Sequence, residues 1–432
     1  MPTPSVNPSE STPSVIPSQA TQDFILRHLH DDVKSLALKA PRDGDVDIAY
    51  ALQQIAGYQM AAKKLPAWAA TDGIIYPPHL ALEQCSSEQT ARYKAAVAGR
   101  FDLHSLVDLT GGMGVDFACL AQGMDEAVYV ERQEELCRIA EHNFACLHLK
   151  ARVVTSDSTR YLQESGPADL LFIDPARRDR NGGRTFAISD CTPDVIALQD
   201  ELLSKAKIVL VKLSPMLDWR KAAADLGEAV REVHIVAVGN ECKELLLLLR
   251  GRVGEMEEIP RRVACYCDGQ CVSFAVDEHW QASAPAAAET ADKHTEEEAS
   301  PDQPPFILIE PHAALMKAGF FRQMERRYGV RQLAPNSHLM LKGIAEDRPL
   351  PSFIADSPLP GRHFRIDTVC SLNKKELKEA LRGISQANIT VRNFPLTAEQ
   401  LRKKLKLADG GDRYIFASTL EDGQHRLFVG GK

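Results

Sequence analysis

From residue 103 to about residue 250, short apolar runs alternate with segments whose apolar residues recur at helical spacing. The runs are Leu106–Leu109, Ala127–Val130, Val153–Val154, Leu170–Ile173, Ile208–Val211 and Val233–Val238. Runs of this length suit strands, and their alternation with helices predicts an α/β fold with a parallel, doubly wound sheet. In such a sheet the ligand binds at the carboxyl ends of the strands.

The segments on either side of this region follow other patterns. Residues 22–100 place apolar residues at helical spacing, with a capping box at Ser86–Gln89, and predict a helical region. The segment Glu244–Arg250 is ambiguous, but its five leucines suit a buried strand and Gly239-Asn240 suits a hairpin turn before it. Residues 261–276 predict a hairpin around Asp268-Gly269.

The last third of the chain predicts a separate α+β domain. Its helices are expected at Leu377–Leu381 and Ala398–Leu407, and its strands at Asn388–Val391 and Tyr414–Thr419. The predicted segments are a disordered tail at 1–21, a helical domain at 22–100, an α/β domain at 101–280, a flexible linker or insertion at 281–305 and an α+β domain at 306–432. A chain of 432 residues is long enough for these domains.

Charge is distributed unevenly along the chain. The net charge of −8 argues against a protein coated in nucleic acid, but residues 306–432 hold 21 Lys and Arg against 13 Asp and Glu. A basic module on an acidic body suggests a polyanion-binding arm, and solvated lysine-rich helix faces explain the charge equally well.

Other composition features narrow the class of protein. No apolar run approaches the ~20 residues needed to span a bilayer, and the start of the chain does not resemble a signal peptide. The ten cysteines are scattered, as in a reducing cytosol, so we expect a cytoplasmic protein. Cys265, Cys267 and Cys271 cluster, but their spacing is not a common zinc spacing, and we expect no metal site.

A glycine loop follows the first apolar run. Its sequence is Asp108-Leu-Thr-Gly-Gly-Met-Gly-Val-Asp116, and it leads into a helical segment. Glycines at Gly112 and Gly114 let backbone N–H groups approach a ligand closely. A dinucleotide site would need a third glycine where Phe117 stands, and a large ring there would block close packing of helix on strand. The loop therefore argues against a dinucleotide ligand.

Acidic residues end the next strands in register with this loop. Glu131 ends the second strand and can accept hydrogen bonds from ribose hydroxyls, and Asp157 ends the third and can accept one from an adenine amino group. Asp174 ends the fourth. Any one of these residues alone could simply cap a helix. The fifth strand runs into Lys212 and Asp218, which either line a substrate pocket or form a surface pair.

These residues resemble motifs of class I S-adenosylmethionine-dependent methyltransferases. The glycine loop resembles motif I, except that Thr110 stands where those enzymes often have their first glycine. Asp174-Pro175 resembles motif IV of nucleic-acid methyltransferases, which lies beside the transferred methyl group. In the enzymes that methylate amino groups, a second proline and an aromatic residue follow, and Ala176 and Arg177 stand in their places here. The motif therefore does not indicate which atom receives the methyl group.

Asp174-Pro-Ala-Arg177 is closer to some 5-methyluridine RNA methyltransferases, which need a nucleophilic cysteine. Cys242 follows the sixth strand, but the sequence around it does not match theirs, and a structural role is favoured.

As a whole, the chain resembles a bacterial family of class I methyltransferases with a C-terminal THUMP-like domain. The matching segments are Leu82–Glu88, Asp108–Asp116, Asp174–Arg178, Ser214–Asp218, Asn240–Leu245, Asn388–Pro395 and Leu401–Leu407. The resemblance implies a Rossmann-like sheet, S-adenosyl-L-methionine as cofactor, and RNA, either tRNA or rRNA, as substrate, since THUMP domains bind RNA in several tRNA-modifying enzymes.

The resemblance also assigns site residues. The catalytic residues would be Asp174, Pro175 and Arg177. The cofactor would contact Asp108, Thr110, Gly111, Gly112, Gly114, Asp116, Glu131, Arg132, Asp157, Ser158, Asp174, Ser87 and Thr90. The RNA would contact Arg392, Arg402, Lys403, Lys404 and Lys406, which would bind phosphates without reading sequence.

Three other functions fit parts of these observations. A methyltransferase could act on a protein or a small molecule, with the basic domain serving another purpose. An RNA-binding protein could retain a vestigial nucleotide site, although the acidic residues Glu131, Asp157 and Asp174 are intact. A dinucleotide-dependent oxidoreductase is disfavoured by Phe117.

Overall fold

A computed structural model describes residues 16–39, 44–177, 188–254, 256–281, 301–302, 304–344 and 358–432. The chain divides into two compact units. The first comprises Met1–Leu213 with Leu248–Glu258, and the second comprises Ser214–Leu247 with Ile259–Lys432. Residues 1–15 of the predicted tail and most of the predicted linker at 281–305 lie outside the described residues.

The described part of the first unit begins with six helices, where the spacing of apolar residues predicted a helical region. They are α1 (Gln19–His28), α2 (Val33–Lys39), α3 (Ile48–Lys64), α4 (Pro66–Ala69), α5 (His79–Gln84) and α6 (Glu88–Ala98). Phe24 and Ile55 form a small core between α1 and α3. α1 begins inside the predicted tail because the Ser18 hydroxyl caps it, accepting a hydrogen bond from the Thr21 N–H at 3.3 Å.

Five parallel strands form the sheet of the first unit. They are β1 (Ser105–Asp108), β2 (Glu126–Glu131), β3 (Arg152–Thr155), β4 (Ala168–Ile173) and β7 (Ala206–Leu213). Their order is β3-β2-β1-β4-β7, so the connections reverse direction between β1 and β4. This reversal point is where doubly wound sheets open a crevice for a ligand. The five strands lie where the apolar runs predicted them.

Helices connect these strands and cover the sheet. They are α7 (Val115–Leu120), α8 (Glu134–Cys146), α9 (Ser158–Glu164) and α10 (Val195–Ser204). A short antiparallel pair, β5 (Ala176–Arg177) and β6 (Cys191–Thr192), lies between β4 and β7 along the chain. The α8 residue Asn143 is fully buried and its side chain bonds to both backbone groups of Ile75, which ties the helical region to the sheet domain.

The second unit begins with one helix and a group of strands. They are α11 (Trp219–Leu226), β8 (Val230–Val238), β9 (Glu241–Arg250), β10 (Arg262–Cys267) and β11 (Gln270–Ala275). The last three residues of β9 belong to the first unit. β9 resolves the ambiguity over its leucine run in favour of a strand. β8 and β10 are parallel, and β10 and β11 form the predicted hairpin.

The C-terminal part of the second unit is a seven-stranded sheet with helices. Its strands are β12 (Phe306–Pro311), β13 (Arg331–Gln332), β14 (Met340–Gly343), β15 (Gly361–Cys370), β16 (Asn388–Arg392), β17 (Arg413–Thr419) and β18 (His425–Gly431), in the order β13-β14-β12-β15-β18-β17-β16. Its helices are α12 (Ala313–Ala318), α13 (Phe321–Tyr328), α14 (Lys374–Ala380) and α15 (Ala398–Leu405).

α15 ends two residues before its predicted end at Leu407. Lys406 adopts a left-handed conformation with φ of 56°, which stops the helix. Leu401 of α15 is buried and packs with Ile415 and Val429 of the sheet, so the helix presents its basic residues away from this core.

No helix in the described ranges is both long and apolar enough to cross a membrane. The cysteines Cys265, Cys267 and Cys271 lie on β10 and β11. Within the part of the chain that the structure describes, no group of three or more His, Cys, Asp and Glu residues is placed to hold a metal ion.

Candidate functional site

The glycine loop connects the carboxyl end of β1 to the start of α7. Gly112 and Gly114 adopt φ of 57° and 83°, in the left-handed region that favours glycine. The N–H of Gly112 donates to Glu131 Oε2 at 3.1 Å, which joins the loop to the end of β2. The loop thus lies at the point where the strand order reverses.

Close packing explains why two loop positions must be glycine. A Cβ at Gly111 would lie 2.2 Å from the ring of Tyr129, and one at Gly114 would lie 2.7 Å from the ring of Phe144. Phe117 is fully buried and packs against both rings, with centroid distances of 5.6 and 4.9 Å. Phe117 therefore occupies the helix–strand interface where a dinucleotide site needs its third glycine, which supports the rejection of that class.

Thr110, the one position that departs from motif I, links the loop to β4. Its hydroxyl accepts a hydrogen bond from the Asp174 N–H at 2.7 Å. Its own N–H donates to Asp108 Oδ1 at 2.9 Å. A glycine would lack this hydroxyl, so Thr110 connects the ends of β1 and β4 where motif I enzymes often have no side chain.

The three acidic strand-end residues lie in different environments. Glu131 is 9% exposed, and its Oε1 accepts a hydrogen bond from Gln133 N–H at 2.9 Å. Asp157 is exposed and caps α9 by accepting from Thr159 and Arg160 N–H groups. Asp174 follows β4 with its side chain 37% exposed. Capping is therefore one role of Asp157, and its predicted contact with the cofactor stays a prediction, whereas capping does not explain Glu131 or Asp174.

The upstream pair Ser87 and Thr90 bond mainly to each other. Ser87 is the N-cap of α6, and its hydroxyl accepts from the Thr90 N–H at 3.2 Å. Thr90 is buried. The neighbouring Ser86, rather than Ser87, reaches the sheet edge, where its hydroxyl donates to Asp116 Oδ2 at 2.7 Å.

The remaining predicted site residues lie around the strand ends. Arg132 follows β2 and is exposed, and Ser158 is half-buried as the first residue of α9. Pro175 is buried beside Asp174. The side chain of Arg177 lies outside the described residues, so its predicted role stays a prediction.

The sequence did not predict that buried charges meet beside Asp174, and it did not indicate Lys94 as a site residue. Lys212 Nζ lies 2.6 Å from Asp174 Oδ2 and 3.4 Å from Asp116 Oδ2. Lys94 Nζ lies 3.1 Å from Asp116 Oδ1 and donates to the Ser86 hydroxyl at 3.1 Å. Two lysines and two carboxylates from four elements thus meet at one sheet edge.

The sequence carries a signal for each of these lysines. On α6, Lys94 falls at core-facing spacing between Ala91 and Ala98, both buried. Lys212 lies near the end of β7, directly after the apolar run Ile208–Val211. The interpretation of Lys212 as half of a surface pair is wrong, since it is only 9% exposed. Asp218 instead caps α11, accepting from Arg220 N–H at 2.8 Å.

Burial and neighbouring charges shift the pKa values of two carboxyl groups, Asp108 and Asp116, in opposite directions. Burial raises the pKa of Asp108 to about 8, against hydrogen bonding by Thr110, so Asp108 carries a proton at neutral pH. Burial alone would also raise the pKa of Asp116, but the charges of Lys94 and Lys212 outweigh it and the pKa falls. Asp116 is therefore the anion between the two buried lysines.

Three of the five basic residues predicted to contact RNA already have carboxylate partners. Arg392 bonds to the buried Glu310 at 2.6 Å, Arg402 bonds to Asp409, and Lys403 lies 2.9 Å from Glu399.

Lys404 and Lys406 are exposed, and neither has an ion pair within the described residues. Of the five basic residues, Lys404 and Lys406 are therefore available to bind phosphates, whereas the charges of the other three are neutralised.

The pKa of the Cys242 thiol is raised by burial, which disfavours the thiolate that a nucleophile needs.

Comparison with known proteins indicates the family of the chain. A model described as THUMP domain-like matches residues 361–432, and one described as a ferredoxin-like domain matches residues 308–344. A crystal structure from Porphyromonas gingivalis W83, assigned to a methyltransferase, is 30% identical with a TM-score of 0.76, and the match covers 96% of this chain and 97% of that one.

An uncharacterized S-adenosylmethionine-dependent methyltransferase of Mycobacterium tuberculosis, found in strains CDC 1551 and H37Rv, is 24% identical over 76% of this chain and 80% of its own.

The fold and these relatives define an S-adenosylmethionine-dependent enzyme. The chain belongs to the class I methyltransferases that carry a C-terminal THUMP-like domain. The residues present fit the cofactor: the glycine loop leaves no room for side chains at Gly111 and Gly114, and the carboxylate of Glu131 suits ribose hydroxyls.

Proposed function

We propose that the protein methylates RNA, with Asp174 as the residue that binds the acceptor. The position and the exposure of the Asp174 carboxylate support this assignment. Asp174 lies at the end of β4 beside the glycine loop, and its side chain is 37% exposed while Asp108 and Asp116 nearby are buried. Of these three carboxylates, it is the one a substrate can reach most readily.

The cofactor would be held by the loop and the strand ends. Gly112 and Gly114 would lie against its methionine end, and Glu131 would accept hydrogen bonds from its ribose. Asp157 would bond its adenine amino group through the carboxylate that also caps α9. S-adenosyl-L-methionine supplies an electrophilic methyl group, whose bond electrons remain on sulfur when it is transferred.

The carboxylate of Asp174 would restrict which chemical groups can receive the methyl group. Lys212 occupies Asp174 Oδ2, and Oδ1 has no hydrogen-bond donor among the described residues. Oδ1 would accept a hydrogen bond from the acceptor and take its proton as the methyl group is received. We therefore expect an acceptor that carries an N–H or O–H, since a ring nitrogen that presents only a lone pair would be repelled.

RNA as the acceptor is supported by the second unit. The THUMP domain-like match covers residues 361–432, and residues 306–432 carry a net charge of +8. Lys404 and Lys406 on and beside α15 are exposed cations that suit phosphates. Such contacts would position an RNA without reading its sequence.

A deletion strain tests the proposal directly. We expect mass spectrometry of tRNA and rRNA nucleosides to show one methylated nucleoside missing from that strain and restored by the wild-type gene. We expect the gene encoding Asp174→Asn to leave it missing. A complete set of methylated nucleosides in the deletion strain, with methyl groups missing from protein instead, would contradict RNA as the acceptor.

A further inference from the structure

The buried charges beside Asp174 form a chain of alternating sign. Lys94 contacts Asp116, Asp116 contacts Lys212, and Lys212 contacts Asp174, at 3.1, 3.4 and 2.6 Å. We call these four residues the charge chain. They come from α6, α7, β7 and the end of β4, so sequence separations reach 96 residues within this one unit.

Exposure rises along the charge chain toward Asp174. Lys94 is fully buried, Asp116 and Lys212 are each 9% exposed, and the side chain of Asp174 is 37% exposed. A pair that served only to hold elements together would have no reason to end on an accessible carboxylate. The charge chain instead ends between the carboxyl ends of β1 and β4, where the glycine loop meets β4 and where a doubly wound sheet is expected to bind its ligand.

Two contacts fix Asp174, one through its backbone and one through its side chain. Its N–H donates to the Thr110 hydroxyl, and its Oδ2 receives the Lys212 ammonium. Lys212 is itself held by Asp116, whose other oxygen faces Lys94. Because Lys94, Asp116 and Lys212 are paired and buried, the arrangement that holds Asp174 is stiff compared with an exposed ion pair.

We propose that Lys212 is a positioning residue for methyl transfer, which acts by holding the Asp174 carboxylate in one orientation. The buried pair of Lys94 and Asp116 fixes Lys212 in turn. Lys212 has no contact with the acceptor in this role, and its whole effect passes through Asp174. The inference rests on the proposed role of Asp174 and holds whichever class of acceptor is methylated.

A double-mutant cycle on the full-length protein tests this role. The variants are Lys212→Met, Asp174→Glu and the two combined. Glu keeps a carboxylate in a displaced position and so leaves activity to measure. Methyl transfer from radiolabelled S-adenosyl-L-methionine is followed separately into the RNA, protein and small-molecule fractions of an extract from the deletion strain. Cofactor affinity is measured by calorimetry, and folding by thermal unfolding.

We expect Lys212→Met to slow methyl transfer about 100-fold, because a displaced catalytic group costs a factor of this order. We expect cofactor affinity to change less than about threefold, since Lys212 acts through Asp174. In the Asp174→Glu background, Lys212→Met should have little further effect, because the orientation it maintains is already lost. Lys212→Arg should restore part of the rate.

The matched control lies at the other end of the same strand. Lys205 precedes β7, and its ammonium donates to the backbone carbonyls of Gln163 and Ser165 at 3.0 and 2.9 Å. We expect Lys205→Met to lower thermal stability while it leaves the transfer rate of the folded protein nearly unchanged. A general loss of packing would instead slow transfer in both variants alike.

The outcomes separate this inference from the proposed function. An unchanged rate in Lys212→Met, or multiplied losses in the double variant, would overturn the positioning role. Methyl transfer into protein rather than RNA would overturn the proposed substrate, and the cycle would then be read on the protein fraction. No transfer into any fraction by the wild-type protein would overturn both.

Discussion

The charge chain of the first unit and the basic helix α15 of the second unit differ in how far away in sequence their ion-pair partners lie. In the first unit, Lys212 pairs with carboxylates 96 and 38 residues away in sequence, in a buried setting. On α15 of the second unit, Lys403 pairs with Glu399 four residues earlier, in full contact with solvent. The first arrangement fixes a geometry, whereas the second mainly reduces the local charge.

This difference determines what each region can do. Buried pairs are expensive to break but hold their members in place, which suits chemistry at an atom. Exposed pairs contribute about 0–1 kcal/mol and rearrange readily, which suits contact with a flexible polyanion.

Removing Lys94 should give the largest loss of stability. Lys94→Met leaves Asp116 buried with one cation instead of two, and breaking a buried pair costs about 3 kcal/mol or more. Urea unfolding measures this loss directly. The matched control is Lys404→Met on α15, which is exposed and should change the free energy of unfolding by less than about 0.5 kcal/mol. Similar losses in both variants would remove the distinction between the two regions.

Removing the charge of Glu131 should weaken cofactor binding, and the change in free energy should be smaller than the loss of stability in Lys94→Met. Glu131→Gln removes the charge that the ribose hydroxyls would bond, and hydrogen bonds to charged groups contribute about 1.5–3 kcal/mol, or roughly 10- to 100-fold in affinity. Calorimetry with S-adenosyl-L-methionine checks this value. Glu164→Gln, on the exposed pair with Arg160, is the control and should bind the cofactor normally. An unchanged affinity in Glu131→Gln would remove Glu131 from the site.

Asp108 should make stability depend on pH. Its pKa is raised to about 8 in the folded protein by burial, while the unfolded value is near 4, so the folded state binds the extra proton between these pH values. Stability from this group is therefore complete below about pH 4 and is lost as pH rises toward 8, by at most about 1.4 kcal/mol per pH unit.

The side chain introduced by Asp108→Asn cannot ionise, so the variant should not lose stability in this way as pH rises. The free energy of unfolding of the variant, minus that of the wild type, should therefore increase from pH 5 to pH 8. The groups that influence Asp108 are Asp116, Asp174 and Lys212, all unchanged in the variant. A difference that stays constant with pH would contradict a buried, protonated Asp108.

The smallest effect should come from the free cations of the second unit. Lys404→Gln combined with Lys406→Gln should weaken RNA binding at low salt and lower the salt slope of the affinity by about 1 for each lysine. Lys403→Gln should matter less, because Glu399 already neutralises Lys403. Filter binding at several salt concentrations distinguishes these cases, and equal effects of Lys403 and Lys404 would show that the surface pairing is irrelevant.

The sequence was sufficient for most of the sheet and for the ends of its strands. Apolar runs placed the five strands of the first unit, because strands buried on both faces need continuous apolar residues. Since parallel strands end at one edge, the acidic residues at the ends of β2 and β4 could be placed together without coordinates. Strand β13 has only two residues and gave no such signal.

The charge chain could not be predicted in the same way. Lys94 and Lys212 interrupt apolar patterns, but a pattern does not show which carboxylate each lysine meets across 96 residues. The role of Thr110 was also hidden, because a hydroxyl bonded to the N–H of Asp174 depends on how closely two strand ends approach. Local charge on α15 was visible, yet its neutralisation by Asp409 required the fold.

In the function that we propose, Asp174 serves methyl transfer to RNA and is not needed to bind the cofactor. The most direct measurement compares wild type and Asp174→Asn for transfer of a radiolabelled methyl group from S-adenosyl-L-methionine to RNA of the deletion strain, with cofactor affinity measured in parallel. We expect the variant to lose transfer by at least about 100-fold and to bind the cofactor normally. Undiminished transfer by the variant, or labelling of protein and not RNA by the wild type, would contradict the account.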